Sequence, residues 1–341
     1  MVRSGAEASR GVLKKLINDP FDAVDEMLEG FVAAHADLVR LVGQRVVARS
    51  SAGRSKVGLV VGGGSGHEPA FVGYVGAGLA DAAAVGNVFA APSPDVCLEA
   101  IRVASTGMGV LLAYGNYAGD VMNFGIAAER AMASGIEVRT IRVTDDVASA
   151  PKTAIDQRRG IAGTVVVFKC AGAMADRGAT LDEVERVARA ANAATRSMGV
   201  ALSACEIPGA GRLSFDLPDD QVEIGLGIHG EPGIRRGPLL TADEMAGLLV
   251  ETILGDLEQT SGSEVALLVN GLGATAQLDL YILYRAARRA LEEAGNIVSR
   301  SMVGEYVTSL EMAGASVTVT RLDTELEDLL DAPARAARFV R

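Results

Sequence analysis

The sequence predicts an α/β protein of two domains. The first has a mostly parallel sheet covered by helices on both faces, and the second has a mixed sheet with helices. Three observations predict this fold class. The chain has 341 residues, which suits two cores better than one. Short apolar runs alternate with amphipathic segments, and glycine-rich or polar turns separate them. We expect the domains to span residues 1–178 and 179–341.

The first half predicts alternating strands and helices after a flexible lead-in over residues 1–10. Residues 20–39 predict an amphipathic helix with Asn18 or Asp19 as its N-cap and Pro20 at its first position. We expect further helices at 93–105 and 121–135, and strands at 56–61, 81–89, 109–114 and 136–143. In parallel sheets ligands bind beyond the carboxyl ends of the strands, so the polar loops 62–69 and 115–120 should face one crevice.

The second half begins near Thr180, which with Glu183 predicts a capping box. The periodic segments predict helices at 180–197, 241–255 and 276–294, and strands at 199–205, 222–228, 264–271, 297–303 and 316–322.

Charge and cysteine usage exclude several classes of protein. The net charge is −11 and no basic stripe is visible, so we expect no nucleic-acid partner. No apolar run reaches the length of a membrane span, and the N-terminus lacks the apolar core of a signal peptide. The three cysteines (Cys97, Cys170 and Cys205) form no metal-ligand spacing and suit a reducing compartment. We therefore expect a cytoplasmic protein without a membrane partner.

Two of the three histidines lie in nearly identical four-residue motifs. His67 is the second residue of Gly-His-Glu-Pro, and His229 is the first residue of His-Gly-Glu-Pro. A histidine in a Gly/Pro turn at a strand end is held rigidly and can act as a nucleophile or a general base near pH 7. Two alternatives stay open at this point. Both rings could merely satisfy their turns, or they could bind a metal together with Glu68 and Glu231.

The glycine run at residues 62–66 indicates backbone amides that approach an oxygen-rich ligand. It is neither a Walker A loop, because no Gly-Lys-Ser/Thr follows, nor a dinucleotide fingerprint, because Pro69 takes the third glycine position. Asp120 follows a predicted strand end and could be a general base in the crevice, the cap of a helix starting at Val121, or both.

Seven short sequence motifs together resemble the K subunit of dihydroxyacetone kinases. The resemblance covers residues 14 to about 331 and implies a two-domain α/β fold of the Dak1 and DegV-like type, commonly a homodimer. The motifs are KKLINDP (14–20), GGGSGHEPA (62–70), GNYAGDVMNF (115–124), RRGIAGT (158–164), GLGIHGEPG (225–233), NGLGAT (270–275) and GEYVTSLEMAGASVTV (304–319).

The resemblance implies roles for particular residues. His229 would attack the ketone carbonyl and form a covalent hemiaminal, and His67 would hydrogen-bond the substrate and assist proton transfer. Asp120 would act as the base on the hydroxyl that is phosphorylated. Gly64, Ser65 and Gly66 would supply backbone contacts to the substrate. No metal ligand is implied.

Two positions depart from the usual pattern of this family. Many members carry a lysine where this chain has Gly115, and many carry a histidine where it has Phe71. We expect the first change to enlarge the pocket and the second to make one wall more apolar. The substrate is therefore expected to be a short ketose, with a tetrulose such as erythrulose as a candidate beside dihydroxyacetone.

No nucleotide site is visible in the sequence, so we expect no cofactor on this chain. An L-type kinase subunit is expected to supply Mg²⁺ and ATP, or a bound ADP recharged by a phosphotransferase system. Two alternatives stay open. The chain could be a non-catalytic ketose sensor that acts as a coactivator, or an unrelated metal hydrolase that uses both histidines.

Overall fold

A computed structural model of the chain describes residues 13–51, 55–257 and 261–341. The predicted lead-in at 1–10 lies outside these ranges. In the described part the helices are α1 (Ala23–Ala34), α2 (Pro94–Ala104), α3 (Ala118–Ala133), α4 (Thr164–Asp176), α5 (Leu181–Ala194), α6 (Ala242–Leu257), α7 (Gln277–Glu293) and α8 (Thr324–Asp331), with 3-10 turns at Val72–Tyr74 and Lys152–Gln157.

The strands of these ranges form two large sheets and one small one. They are β1 (Val39–Val42), β2 (Val46–Arg49), β3 (Gly58–Ser65), β4 (Gly76–Ala77), β5 (Ala82–Val88), β6 (Val110–Gly115), β7 (Val138–Val143), β8 (Thr195–Ala201), β9 (Gln221–Ile224), β10 (Arg235–Pro238), β11 (Glu264–Gly271), β12 (Ile297–Gly304), β13 (Gly314–Arg321), β14 (Arg335–Ala336) and β15 (Phe339–Val340).

The first sheet has the strand order β1-β2-β5-β3-β6-β7. The pairs β5–β3, β3–β6 and β6–β7 are parallel, whereas the β1–β2 hairpin joins β5 antiparallel. Alternate residues of β3 face opposite sides of the sheet. Val60 packs with α2 and α3, while Leu59 and Val61 pack with α4 and α5. Burial on both faces explains why this strand is apolar throughout rather than alternating.

The second sheet is mixed, in the order β10-β9-β8-β13-β11-β12, with β11–β12 as its parallel pair. Val265 and Leu267 of β11 pack against α6 and α7, whereas Ala266 and Leu268 on the other face join the core formed by α4 and α5. The α4–α5 layer is thus enclosed between the two sheets, and this arrangement brings the ends of β3 and β6 close to the loop that follows β9.

Several element bounds differ from the sequence predictions. α1 ends at Ala34, because residues 39–42 turn back and pair with β2, and its N-cap is Asp22 rather than Asn18 or Asp19. β3 continues through the glycines that were predicted as loop, to Ser65. Residues 164–176, which none of the sequence predictions covers, form the almost fully buried α4. The Ser93 cap of α2 and the Thr180–Glu183 capping box are present as predicted.

The domain boundary near residue 178 stays a prediction. The helices on either side of it, α4 and α5, pack against each other and share one core. Among the described residues, no helix combines the length and the apolar character that a membrane crossing requires.

Candidate active site

His67 is held rigidly at the end of β3. The chain turns at Gly66, whose φ of +94° favours glycine, and a Cβ there would lie 2.9 Å from the Phe89 ring. The imidazole is 1% exposed and stacks on Phe89, with ring centroids 5.0 Å apart. Its Nδ1 lies 2.7 Å from the carbonyl oxygen of Thr308. Because a carbonyl only accepts, Nδ1 carries the proton and Nε2 of His67 is left with its lone pair.

His229 lies in the turn after β9, and its ring is fixed by Glu231. One carboxylate oxygen of Glu231 lies 2.9 Å from His229 Nδ1, and the other accepts the backbone N–H of His229 at 3.0 Å. Burial opposes ionisation of Glu231. The hydrogen bonds and charge of His229, together with the charge of Arg159, nevertheless lower the pKa of the carboxyl to about 2. The ionised carboxylate therefore fixes the proton of His229 on Nδ1 as well.

Two consecutive arginines anchor this region. Arg159 pairs with Asp146 at 2.7 Å and lies 3.8 Å from Glu231. Arg158 is fully buried and forms a bidentate pair with Asp256 of α6, at 2.8 and 2.6 Å. The segment between β7 and α4 thereby links the His229 turn to the second sheet and its helices.

The two imidazoles face each other through their Nε2 atoms, which are 3.0 Å apart. The Nδ1 atoms of His67 and His229 donate to the Thr308 carbonyl and the Glu231 carboxylate, which can only accept. Each neutral ring therefore has an unprotonated Nε2, and a hydrogen bond between the two Nε2 atoms requires one additional proton. Burial, followed by the charge of His229, lowers the pKa of His67 to about 3. The neutral form of His67 is therefore favoured, and His67 readily passes any additional proton to a neighbouring base or to a ligand oxygen.

Of the residues singled out in the sequence, Gly64, His67, Gly115, Asp120 and His229 line one cavity, so that loops 62–69 and 115–120 both reach it as predicted. Its volume is about 10 Å³, close to that of a single water site, so a larger ligand must separate the two rings. The lining residues are Gly63, Gly64, His67, Phe71, Gly115, Tyr117, Asp120, Gly160, Ile161, Thr164, Ile228, His229 and Val307.

Ser65 and Gly66 were predicted to contact substrate, but the structure does not bring them to this cavity. The Ser65 hydroxyl donates to the carbonyl oxygen of Gly86 at 2.9 Å. The Gly66 N–H donates to the Glu68 carboxylate at 3.0 Å, and its carbonyl accepts from Leu310 N at 2.7 Å. The hydrogen bonds of Ser65 and Gly66 therefore stabilise the turn that carries His67. Gly64 does line the cavity.

Asp120 is buried in the first turn of α3. That helix begins at Ala118 with Tyr117 as its N-cap, so the alternative in which Asp120 caps a helix starting at Val121 is wrong. Among the described residues its Oδ1 has no hydrogen-bond partner. Burial raises the pKa of Asp120 to about 7. A carboxylate with a pKa near neutrality, aimed into a cavity, is suited to general-base chemistry.

The space beside Gly115 is not enlarged, contrary to the expectation from the missing lysine. A Cβ on Gly115 would lie 3.0 Å from Tyr117 Cε2 and 3.1 Å from the carbonyl oxygen of Gly160, because the Tyr117 ring fills this space. The expected apolar wall is present, since the Phe71 ring covers Gly63 closely enough that a Cβ there would lie 2.4 Å from Phe71 Cε2.

Sequence reasoning missed three functional groups. The Thr308 carbonyl carries no sequence signal because it acts through its backbone. Arg159 stands in the RRGIAGT motif without a visible role. Tyr117 lies within GNYAGD, and its ring meets His229 edge-on with centroids 4.6 Å apart. A large polar aromatic residue between a strand end and Asp120 was the available signal for Tyr117.

No cluster of three histidine, cysteine or carboxylate residues that could hold a metal occurs within 13–51, 55–257 and 261–341. Of the carboxylates considered for a metal site, Glu231 pairs with His229 and Arg159, and Glu68 accepts the Gly66 N–H.

Comparison with known proteins identifies the family. A family model described as the Dak1 domain matches residues 29–338. The chain belongs to the Dak1 family. The predicted resemblance to dihydroxyacetone kinase K subunits is confirmed by a relative from Listeria innocua, the dihydroxyacetone-binding subunit DhaK of PTS-dependent dihydroxyacetone kinase 2. It is 44% identical over 330 residues, which are 96% of this chain and 99% of that protein.

Two further similar proteins are named for other functions. The L-erythrulose kinase of Pectobacterium atrosepticum is 48% identical over 328 residues, which are 95% of this chain but 56% of that enzyme. The solved structure of the dihydroxyacetone kinase operon co-activator DhaQ matches with a TM-score of 0.88 at 33% identity, over 93% of this chain and 98% of that one. The predicted fold class is confirmed, and the predicted class of enzyme agrees with the kinase names of the first two relatives.

Proposed function

We propose that this chain is the ketose-binding subunit of a dihydroxyacetone-type kinase. It holds a short ketose as a covalent hemiaminal on His229 while a partner phosphorylates the primary hydroxyl. The observation that carries the proposal is the opposition of two imidazole Nε2 atoms, each with its other nitrogen fixed as a donor, in a cavity that also contains Asp120.

The residues account for a balanced addition to a ketone. Nε2 of His229 bonds to the carbonyl carbon, and the π electrons move to the carbonyl oxygen. That oxygen takes the proton shared between the rings and becomes a hydroxyl. His67 is left neutral with its Nδ1–H on Thr308, and the positive charge resides on the alkylated ring of His229, beside the Glu231 carboxylate. Total charge is unchanged, and the reverse reaction releases the ketose.

Covalent capture also explains discrimination. Glycerol has nearly the same shape as dihydroxyacetone but has no carbonyl to attack, so it cannot form the adduct. The bond to His229 fixes the primary hydroxyl near Asp120, and orientation of this kind lowers a barrier by up to about 7–11 kcal/mol in favourable cases.

Asp120 removes the proton of that hydroxyl as it attacks the phosphoryl group. The donor is held by an L-type kinase subunit, as Mg·ATP or as a nucleotide recharged by a phosphotransferase system, and this chain acts as a homodimer beside it. Phosphoryl transfer depends mainly on positioning and charge stabilisation, so the two subunits divide acceptor and donor between them.

The substrate class is a short α-hydroxyketone. The Gly115 position offers no extra space for a tetrulose, because the Tyr117 ring occupies it. One relative is named for dihydroxyacetone and another for L-erythrulose. Values of kcat/KM on a panel of three- and four-carbon ketoses, measured with the partner present, distinguish the two.

The test is carbon-13 NMR of the full chain with dihydroxyacetone labelled at its carbonyl. We expect the ketone signal to be replaced by that of a tetrahedral carbon bonded to nitrogen, and His229→Ala to abolish this signal. His35→Ala is the matched control, because His35 is the remaining histidine and packs on Phe31 at the end of α1. A tetrahedral carbon that persists in His229→Ala would refute the assignment.

A second candidate function is a ketose-sensing coactivator, which the similarity to DhaQ favours. Binding alone does not require a base, so Asp120, with its pKa near 7, favours the kinase subunit. A pull-down with the full chain separates the two functions: an L-type kinase subunit supports the enzyme, and a DNA-binding regulator supports the sensor.

A further inference from the structure

Tyr117 has a buried hydroxyl that makes no hydrogen bond within the described residues, although its ring is closely packed. The ring stands edge-on to His229, at 4.6 Å between centroids and 83° between planes. It also covers Gly115, where any Cβ would be 3.0 Å from Tyr117 Cε2. A buried hydroxyl without a partner costs free energy, so its partner is expected to arrive with a ligand.

The other polar side chains that line the cavity are already satisfied, with one exception. His67 and His229 bond to Thr308, Glu231 and each other, and the Thr164 hydroxyl donates to Ile161 at 2.8 Å. The exception is Asp120 Oδ1, which like the Tyr117 hydroxyl has no partner among the described groups. The cavity therefore presents one free donor and one free acceptor.

These two free groups have different surroundings, because the Tyr117 ring contacts His229 whereas Asp120 lies in the first turn of α3. Burial raises the pKa of Tyr117 well above its ordinary value, and the charges that act on it most are those of Glu231 and Arg159, beside His229. The charge of Asp120 instead acts on Cys97 and Tyr114. The raised pKa keeps the Tyr117 hydroxyl protonated near neutral pH, so it is available as a donor.

We propose that the Tyr117 hydroxyl donates a hydrogen bond to the distal hydroxyl of the bound ketose, on the side of the carbonyl away from the phosphorylated carbon. Tyr117 thereby selects ketones that carry a hydroxyl on both sides of the carbonyl. The inference rests on the proposed function, because the adduct on His229 sets the two ends of the ligand. Gly115 contributes by leaving the space that the Tyr117 ring needs.

The test compares two ketones on two proteins. Dihydroxyacetone carries the distal hydroxyl, whereas hydroxyacetone has a methyl group in its place and is otherwise the same. We expect the unmodified chain to form the adduct with dihydroxyacetone at least about 10-fold more tightly than with hydroxyacetone. In Tyr117→Phe this ratio should fall close to one, because the variant keeps the ring on His229 and removes the donor. Titrations followed by carbon-13 NMR give the four dissociation constants.

Each outcome decides one point. If Tyr117→Phe weakens both ketones equally, the residue only supports the His229 ring and the inference is wrong. The inference is also wrong if the ratio of the two dissociation constants is the same in Tyr117→Phe as in the unmodified chain. It is wrong as well if that ratio is already one in the unmodified chain, and this last comparison does not require the variant to fold. If the unmodified chain forms no adduct with either ketone, the proposed function itself fails, which is a distinguishable result.

Discussion

The Nε2 atoms of His67 and His229 lie 3.0 Å apart although 162 positions separate the two residues in the chain. His67 follows the central parallel strand of the first sheet, and His229 follows β9 of the second. The loops are tied together by backbone hydrogen bonds from Thr308 N to His67 O and from Leu310 N to Gly66 O, at 3.2 and 2.7 Å. The site therefore exists only when both sheets are assembled.

His67→Asn should slow formation of the ketose adduct by about 100-fold or more, the usual contribution of one acid–base group. The asparagine amide can still donate to the Thr308 carbonyl, but nothing replaces Nε2 as the carrier of the shared proton. Stopped-flow mixing with dihydroxyacetone measures the rate, and His35→Asn serves as control. An unchanged rate would show that the ketone oxygen obtains its proton from elsewhere.

Much of this site could be predicted from the sequence, because its motifs are short and their local structure depends on neighbouring residues in the chain. The strand-to-turn context of His67 and the position of Asp120 after β6 both follow from short-range patterns. The extent of β3 does not. Gly62 lies in the strand because its neighbour approaches so closely that a Cβ would be 2.4 Å from the Ala84 carbonyl oxygen. That spacing is a tertiary contact, whereas a glycine run alone favours a loop.

The groups that were missed act over long distances in the chain. The Thr308 carbonyl fixes the tautomer of His67 from 241 positions away, and no side-chain pattern marks a backbone acceptor. The absence of a side chain at Gly115 predicts a larger pocket when the sequence is considered alone. The space is in fact limited by the Tyr117 ring and the Gly160 carbonyl, which only the folded chain brings next to Gly115.

Adduct formation and phosphorylation should depend differently on pH. Asp120 acts as a base when ionised, and its pKa of about 7 in the free protein should appear as a fall in kcat/KM below that pH. The adduct requires no ionised Asp120, so its occupancy should not fall as the pH is lowered through 7. Parallel measurements of turnover, with the partner present, and of adduct by carbon-13 NMR test the difference. If adduct occupancy and turnover fall together below pH 7, the base role is wrong.

Asp120→Asn should stabilise the fold at alkaline pH, because an ionised and unpartnered carboxylate is then no longer buried. The folded pKa of about 7 lies above the ordinary 3.8, so the folded state holds an extra proton between these values and Asp120 becomes progressively destabilising as the pH rises through that window. We expect a gain on the order of 2 kcal/mol at pH 8 that shrinks toward pH 5. Urea denaturation of both proteins at the two pH values measures it, and a gain independent of pH would contradict the burial argument.

Gly115→Ala should weaken ketose binding by displacing the Tyr117 ring. The added methyl group would lie 3.0 Å from Tyr117 Cε2 and 3.1 Å from the Gly160 carbonyl, so the ring must shift, at a cost of about 1 kcal/mol or more. The shift displaces the hydroxyl, and the preference for dihydroxyacetone over hydroxyacetone should fall as it does in Tyr117→Phe.

Gly125→Ala in α3 is the matched control, because nothing lies within 4 Å of its Cβ position. Alanine there should stabilise the helix by about 0.5–1 kcal/mol without changing the preference. Retention of the full preference in Gly115→Ala would mean that the ring position beside Gly115 does not set specificity.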